Sequence, residues 1–399
     1  MRYSRVQMES IGYQLPPVVV TSDELEERLL PMYDALHIAP GQLEALTGIS
    51  ERRWWEAGHL LSDGAANAAR RALLQSNVDP KHVEALVYTG VCRENFEPAT
   101  ACAVAAQLGI STDANVYDIS NACLGVLNGI IDIANRIELK QIRAGMVVSC
   151  ETSREIVEIV IERMLKDKTM DTFTRSLATL TGGSGAVAVL LTDGSFDNRN
   201  THRLRGAVTK AAPEHHRLCR WGITLSPVAL GELMLSPDKL LNAIDQVMEP
   251  DALPGAMRGL MTHERLPPAL SNIMPSEKLP AALTQFMSTD SVAVLKHGAK
   301  LGVRTWGAFL TKMGWARDQV DKVICHQVGE GHRATILNEL GIDPKKDFST
   351  FKHLGNIGTV SVPLTAAIAE QRQFLKPGDR VSFLGIGSGL NCLMLGWEW

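Results

Sequence analysis

Cys123, His326 and Asn356 are of residue types that can attack a carbonyl, move a proton and stabilise a developing oxyanion. Cys123 lies in Val116-Tyr117-Asp118-Ile119-Ser120-Asn121-Ala122-Cys123-Leu124-Gly125, where an extended apolar run gives way to an apolar helix expected over residues 124–137. A thiol at a helix start meets the positive end of the dipole and the free first-turn N–H groups. Both favour thiolate and predict a lowered pKa. That placement suits a nucleophile that becomes acylated. Most free cysteines are small buried hydrophobes instead, and the chain has seven: Cys92, Cys102, Cys123, Cys150, Cys219, Cys325 and Cys392. Their odd number and the lack of a Cys-x-x-Cys pair disfavour a disulfide framework and a zinc site, and favour a reducing compartment.

His326 follows the apolar run Val323-Ile324-Cys325 and precedes Gln327-Val328-Gly329. A histidine at a strand end is often structural or solvated, but a neutral one can also deprotonate a thiol or donate to a carbonyl oxygen. Asn356, in Gly355-Asn356-Ile357-Gly358, is either a turn residue that tolerates positive φ or an amide donor aimed at an oxygen that gains charge. Gly385-Ile386-Gly387-Ser388-Gly389 exposes backbone and can offer the Ser388 N–H to a thioester carbonyl; it lacks the Gly-Lys-Ser/Thr ending of a phosphate loop. Glu97, in Arg93-Glu94-Asn95-Phe96-Glu97-Pro98-Ala99-Thr100, is expected to start a helix. It is either a carboxylate that satisfies the helix dipole or a base that removes a proton α to a carbonyl.

The elements that must position these residues repeat. Residues 72–80 then 83–88, and residues 308–315 then 320–325, each read as a helix, a short polar turn and a buried strand. After each strand a helix closes on a glycine, Gly109 in one case and Gly341 in the other. The next turns carry Cys123 and the 353–358 segment, and residues 145–150 match residues 380–385 as later strands. Alternating strands and helices imply parallel sheets covered by helices. A repeat this long implies a duplicated domain rather than a solenoid. Ligand sites in such sheets lie beyond the carboxyl ends of strands, where Cys123, His326 and Asn356 all fall.

The 399 residues, 45% hydrophobic and 21% charged, form an ordinary globular composition. A formal net charge of −4 argues against a nucleic-acid partner held by bulk electrostatics. No apolar core of signal-peptide length opens the chain and no run reaches membrane-spanning length, so the expected location is cytoplasmic. Residues 1–220 and 286–399 read as the two halves. Between them, residues 221–285 are rich in Pro, Leu and Met and fit short amphipathic helices broken by proline. This insertion is either a lid or wall over an apolar substrate tunnel or an addition that packs on the surface.

Together, Asn121-Ala122-Cys123-Leu124-Gly125, Cys325-His326-Gln327, Gly355-Asn356-Ile357-Gly358 and Gly385-Ile386-Gly387-Ser388-Gly389 resemble the motifs of the thiolase superfamily, and within it the ketoacyl synthase III-like condensing enzymes. They occur in that family's order and span nearly all of the chain except the insertion. With Ile49-Ser50-Glu51-Arg52-Arg53-Trp54, residues 93–100 and Gly387-Ser388-Gly389-Leu390-Asn391-Cys392, the chain resembles most the long-chain acyl-CoA head-to-head condensing enzymes of bacterial olefin biosynthesis. The resemblance implies a duplicated thiolase fold: two βαβαβαββ halves in a five-layer α-β-α-β-α sandwich, the first half carrying Cys123 and the second His326 and Asn356. It also implies that Glu97 is the α-proton base and reaches the site of a neighbouring subunit, and hence a homodimer. Substrates would be thioesters of CoA or of an acyl carrier protein, the latter a candidate partner, with no tightly bound cofactor and no metal.

The implied reaction is a Claisen condensation of lipid biosynthesis that gives a β-keto product. Cys123 is acylated, Glu97 removes an α-proton from a second thioester, and the enolate attacks the acyl-Cys. His326 and Asn356 stabilise the enolate oxygen, and the N–H groups of Cys123 and Ser388 hold the acyl oxygen. Two alternatives stand beside it: a decarboxylating ketoacyl synthase III that uses malonyl thioester, and an acyltransferase that passes the acyl group to an alcohol or amine. Decarboxylating members carry a second Asn in His-Gln-Ala-Asn, where this chain has His326-Gln327-Val328-Gly329. They also carry an Arg before Thr-Gly-Ile that stacks on the CoA adenine. Here Leu46 precedes Thr47-Gly48-Ile49, so the CoA contacts are unassigned.

Overall fold

The computed structural model describes residues 1–196, 202–225 and 283–399. The chain divides into one unit of Met1–Arg220 with Ser288–Trp399 and a second of Trp221–Met287. Most of the 221–285 insertion, and its reading as a lid or surface addition, lies outside the described residues.

The strands are β1 (Gln7–Gln14), β2 (Val18–Thr21), β3 (Glu51–Trp54), β4 (Ala85–Thr89), β5 (Asn115–Ile119), β6 (Ala144–Glu151), β7 (Gly185–Thr192), β8 (His202–Ala211), β9 (Cys219–Leu225), β10 (Leu283–Thr289), β11 (Lys322–Cys325), β12 (Arg380–Gly387) and β13 (Asn391–Glu398). Nine of them run in the order β11-β12-β13-β8-β1-β7-β6-β4-β5, while β2 pairs with β3 and β9 with β10. The nine strands are two half-sheets that meet between β1 and β8, at Gln7↔Arg203 and Met8↔His202, with the bridge Arg2↔Gly206 continuing the seam. In the first half, β4 is parallel to β5 and β6, and β7 is antiparallel to β6 and β1. In the second, β11 is parallel to β12, and β13 is antiparallel to β12 and β8. An isolated parallel bridge, Val323↔Asp347, stands where β5 stands in the first half. The two halves therefore share one topology, strand for strand. β8 lies before residue 220, yet its register with β13, from Ala211↔Asn391 to Arg203↔Glu398, makes it an edge of the second half-sheet.

The helices form three layers around these half-sheets. Helix Leu61–Ser76, whose buried alanines allow close approach, covers β1, β6 and β7. Helices Gly125–Glu138 and Ser361–Gln371 form the middle layer, and one apolar cluster unites their buried faces with Val87, Val147 and Val189 of one half-sheet and Ile324, Phe383 and Leu395 of the other. Helix Ser291–Met313 covers β8 and β13. The middle helices see apolar surface on two sides, and β6 and β7 are buried along their whole length, which is why these segments read as near-continuous apolar runs. The two C-cap glycines of the repeat, Gly109 and Gly341, both adopt left-handed φ, 66° and 62°. The observed first middle helix begins one residue later than expected, because a short tight turn, Ala122–Leu124, precedes it.

Candidate active site

The Cys123 turn is built by strain and by close approach. Ala122 sits at φ 45°, a conformation that costs a non-glycine residue roughly 1–2 kcal/mol. Side-chain amides hold the turn: Asn391 Nδ2 donates to Asn121 Oδ1 at 3.0 Å, and Asn121 Nδ2 to Asn128 Oδ1 at 2.6 Å. Gly387, at the end of β12, lies so near that a Cβ there would stand 3.4 Å from the Cys123 amide nitrogen and 3.2 Å from Leu124 Cγ. The Gly385–Gly389 motif thus brings bare backbone beside the thiol, with Ser388 directly after.

The thiol is partly buried, and burial, with smaller contributions from Cys219 and Glu151, pushes its pKa up to about 12. This reverses the expected lowering. A helix dipole contributes about 0.3–1 kcal/mol, or less than one pKa unit, whereas burial can shift a group by about 3–5 units. Moreover, the first-turn N–H of Val126 is not free, because it donates to Thr359 Oγ1 at 2.8 Å. In the unliganded chain Cys123 is therefore a thiol, and its proton must leave when substrate arrives.

His326 begins where β11 ends. Its N–H donates to Leu384 O at 2.8 Å, which places it beside β12, the strand that reaches Cys123. The ring is buried, 5% exposed, and its Nδ1 has no partner among the described residues. Burial, then His332, lowers its pKa to about 3, so the ring is neutral. A neutral imidazole can accept one proton and donate another, as a thiol or an enolate requires. Gln327 turns the other way: its Oε1 accepts the N–H groups of Thr350 at 2.7 Å and Phe351 at 2.8 Å, and its Nε2 donates to Phe348 O at 3.1 Å. The residue after His326 thus anchors the segment that leads to Asn356.

Asn356 is clamped by backbone. Its N–H donates to Thr181 O at 2.8 Å and its carbonyl accepts from Gly183 N at 2.9 Å. Its Oδ1 accepts the Gly358 N–H at 3.1 Å, so the amide is oriented with Nδ2 as its donor end. The following residues pack on the Cys123 turn. β12 thus runs from beside His326 to the Cys123 turn, and Thr359 ties the Asn356 segment to the helix after Cys123. Gly329 occupies the position of the second Asn of decarboxylating members, and a Cβ there would lie 2.8 Å from Thr47 O.

Among the described residues no hydrogen bond or ion pair ties Glu97 to this cluster. It lies on an exposed loop, beside Phe96, which is 82% exposed. Nor does it start the next helix, which begins at Thr100. The carboxylate at that helix N-terminus is Asp118, which accepts the N–H groups of Thr100 and Ala101, both at 3.0 Å. Sequence reasoning missed Thr359, Gln327, the Asn121–Asn128–Asn391 amides and the buried Glu151. Gln327, Asn121 and Asn391 carried a signal, by their place inside the quoted motifs. Among the described residues no group of His, Cys, Asp or Glu is arranged to hold a metal ion, and no helix is long and apolar enough to cross a membrane.

This duplicated fold, with a cysteine turn, a histidine strand end and an asparagine turn linked by β12 and Thr359, defines a thiolase-fold condensing enzyme of the acyltransferase class. Residues 56–181 match the family described as thiolase, N-terminal domain, and residues 310–399 the C-terminal domain of 3-oxoacyl-[acyl-carrier-protein] synthase III. The chain is 52% identical to an acyl-CoA:acyl-CoA alkyltransferase of Shewanella oneidensis and 32% identical to one of Xanthomonas campestris, over 100% of both chains in each case. A crystal structure of a cysteine-to-alanine variant of Xanthomonas campestris OleA matches with TM-score 0.81 at 32% identity, covering 100% of this chain and 98% of that one. A cysteine-to-serine variant of OleA with bound lauric acid and lauroyl-CoA matches with TM-score 0.81 at 31% identity over 100% of both. The chain belongs to the acyl-CoA:acyl-CoA alkyltransferase family.

Proposed function

We propose that this enzyme joins two acyl-CoA molecules head to head by a non-decarboxylating Claisen condensation, with Cys123 as the acylated nucleophile. The observation that carries the reading is the Cys123 turn itself, strained at Ala122 and set against bare backbone at Gly387. In the first half-reaction the Cys123 thiol loses its proton to neutral His326, and the sulfur attacks the thioester carbonyl. The carbon–sulfur bond to CoA breaks, and CoA leaves with that proton. The N–H groups of Cys123 and Ser388 hold the oxyanion. In the second half-reaction Glu97, supplied by a second copy of the chain, takes an α-proton from the next acyl-CoA. His326 and the Asn356 amide stabilise the enolate oxygen, the enolate carbon attacks the acyl-Cys carbonyl, and Cys123 leaves as thiolate to regain a proton. The product is a β-ketoacyl-CoA.

The exposure of Glu97 beside Phe96 supports its use by a second copy and hence a homodimer. The relatives' name supports CoA over a carrier protein. The lack of space at Gly329 supports a non-decarboxylating route. Seven free cysteines support the cytoplasm. Purified enzyme given lauroyl-CoA as its sole substrate is expected to release one CoA for each β-ketoacyl-CoA formed. Product that appears only with malonyl-CoA, with one CO2 released each time, would replace this reading with the decarboxylating one. Transfer to an added alcohol or amine without carbon–carbon bond formation would replace it with simple acyl transfer.

A further inference from the structure

One buried carboxyl near the site has no task in the mechanism above. Glu151 is the last residue of β6 and is 5% exposed. Its Oε1 accepts the Val91 N–H at 3.0 Å and its Oε2 the Cys92 N–H at 3.3 Å. Among the described residues no ion pair involves it. On its other side lies the Asn356 turn: a Cβ built on Gly358 would stand 3.4 Å from Glu151 Cγ and 3.5 Å from Cδ. The helix after Cys123 begins between the same two segments, since a Cβ on Gly125 would stand 3.4 Å from Gly90 N and 3.2 Å from Thr359 Oγ1.

The segment fastened by Glu151 leads to Glu97. Cys92 is held further by Tyr88, whose hydroxyl donates to Cys92 O at 2.9 Å, and by its own Sγ, which donates to Thr152 O at 3.3 Å. Glu94 then accepts the Ser62 N–H at 2.5 Å. From residue 95 to 99 the loop is largely exposed, so the position of Glu97 follows from how its two ends are fixed, residues 91–94 on one side and Thr100 and Ala101, held by Asp118, on the other. A buried carboxyl that accepts two backbone N–H groups is costly to remove, because both donors are then left unpaired.

We propose that Glu151 is a positioning residue for condensation: it fixes the root of the Glu97 loop against the Asn356 turn, and so sets where Glu97 is presented to a neighbouring site. The inference rests on the condensation reading. The titratable groups that face Glu151 are Cys92, Cys150, Tyr88 and Cys123. Each is pushed above its ordinary value, chiefly by burial, with Glu151 contributing in every case. Glu151 therefore also bears on the Cys123 thiol through its charge, an effect that pure scaffolding would lack.

The test uses the full-length enzyme and reads the two half-reactions separately. In Glu151→Gln, one acceptor is replaced by an NH2 group that opposes a backbone N–H. Single-turnover acylation by lauroyl-CoA, read by intact mass, is expected to stay within about threefold, while the kcat for condensation falls about ten- to hundredfold at little-changed KM. Alkylation of Cys123 by iodoacetamide at pH 8 is expected to quicken as the thiol pKa falls. Val91→Pro deletes one donor from the loop side without touching the core, and is expected to split the half-reactions in the same way. Equal loss of both half-reactions in both variants, or unchanged condensation in either, overturns the proposal. Wild-type enzyme that acylates but never condenses overturns the condensation reading instead.

Discussion

The Thr359 hydroxyl oxygen accepts the backbone N–H of Val126 at 2.8 Å, and this bond fastens the turn that carries Asn356 to the first turn of the helix that follows Cys123. It joins residues 233 positions apart, one from each half of the duplicated fold. The geometry of acyl carbonyl and enolate oxygen relative to each other depends on such ties between halves. Thr359→Val keeps the shape and removes the acceptor. Loss of a helix-end acceptor costs about 0.5–2 kcal/mol, so urea unfolding is expected to show that loss, accompanied by reduced condensation. Unchanged stability and turnover would remove the bond from the account.

In the proposed mechanism Asn356 works through its two amide ends, Oδ1 holding the Gly358 N–H and Nδ2 left as the donor. Asn356→Asp keeps an acceptor for the Gly358 N–H, so the turn survives, but it replaces the Nδ2 donor with an oxygen. Loss of one oxyanion donor costs about 10²–10³ in rate. Condensation is expected to fall by that factor, with acylation of Cys123 nearly intact. Equal loss in both steps would assign Asn356 to the turn alone.

Gly329 has backbone where a side chain would go, 2.8 Å from Thr47 O. Gly329→Asn restores the residue type of decarboxylating relatives but forces the backbone apart, which costs about 1–3 kcal/mol. The expected variant is less stable in thermal unfolding and releases no CO2 from malonyl-CoA. Gain of malonyl decarboxylation without loss of stability would contradict this.

Acid should destabilise the fold through two histidines. Burial lowers His326 to about 3 and His332 to about 4, so both are neutral in the native state. An unfolded chain holds each near 6.5. Below about pH 6.5 the unfolded state therefore binds protons that the native state refuses, and stability falls as pH drops toward about 4, by up to about 1.4 kcal/mol per pH unit for each ring. Above pH 7 their contribution is complete. Burial raises the carboxyls of Glu151 and Asp347, which bind protons in the native state first and so soften the loss. Urea midpoints are expected to fall from pH 7 to pH 5, and less so in His332→Gln. A midpoint that rises with acid would contradict the assignment.

What could be read from the sequence followed from locality. The motifs around Cys123, His326 and Asn356 are contiguous, and the αβ repeat of residues 72–88 and 308–325 pointed to two like halves whose strand ends meet. What could not be read depends on contacts across the fold. The pairing of β8 with β13 is invisible in a strand pattern, which shows that a strand exists but not its neighbour. Glu151 reads as one acid among many until Val91 and Cys92 are seen to donate to it. The thiol pKa was misjudged because a helix start is a local feature, whereas the burial that outweighs it is not. Glu97 read as a helix start; the cap is Asp118, from the adjacent parallel strand.

The central claim is that Cys123 carries the acyl group. Wild-type enzyme incubated with lauroyl-CoA and read by intact mass spectrometry is expected to gain the mass of one lauroyl group, with peptide mapping placing it on Cys123. Cys123→Ala is expected to gain none. An acyl adduct on the Cys123→Ala protein, or one mapped to Cys219 in the wild type, would contradict the account.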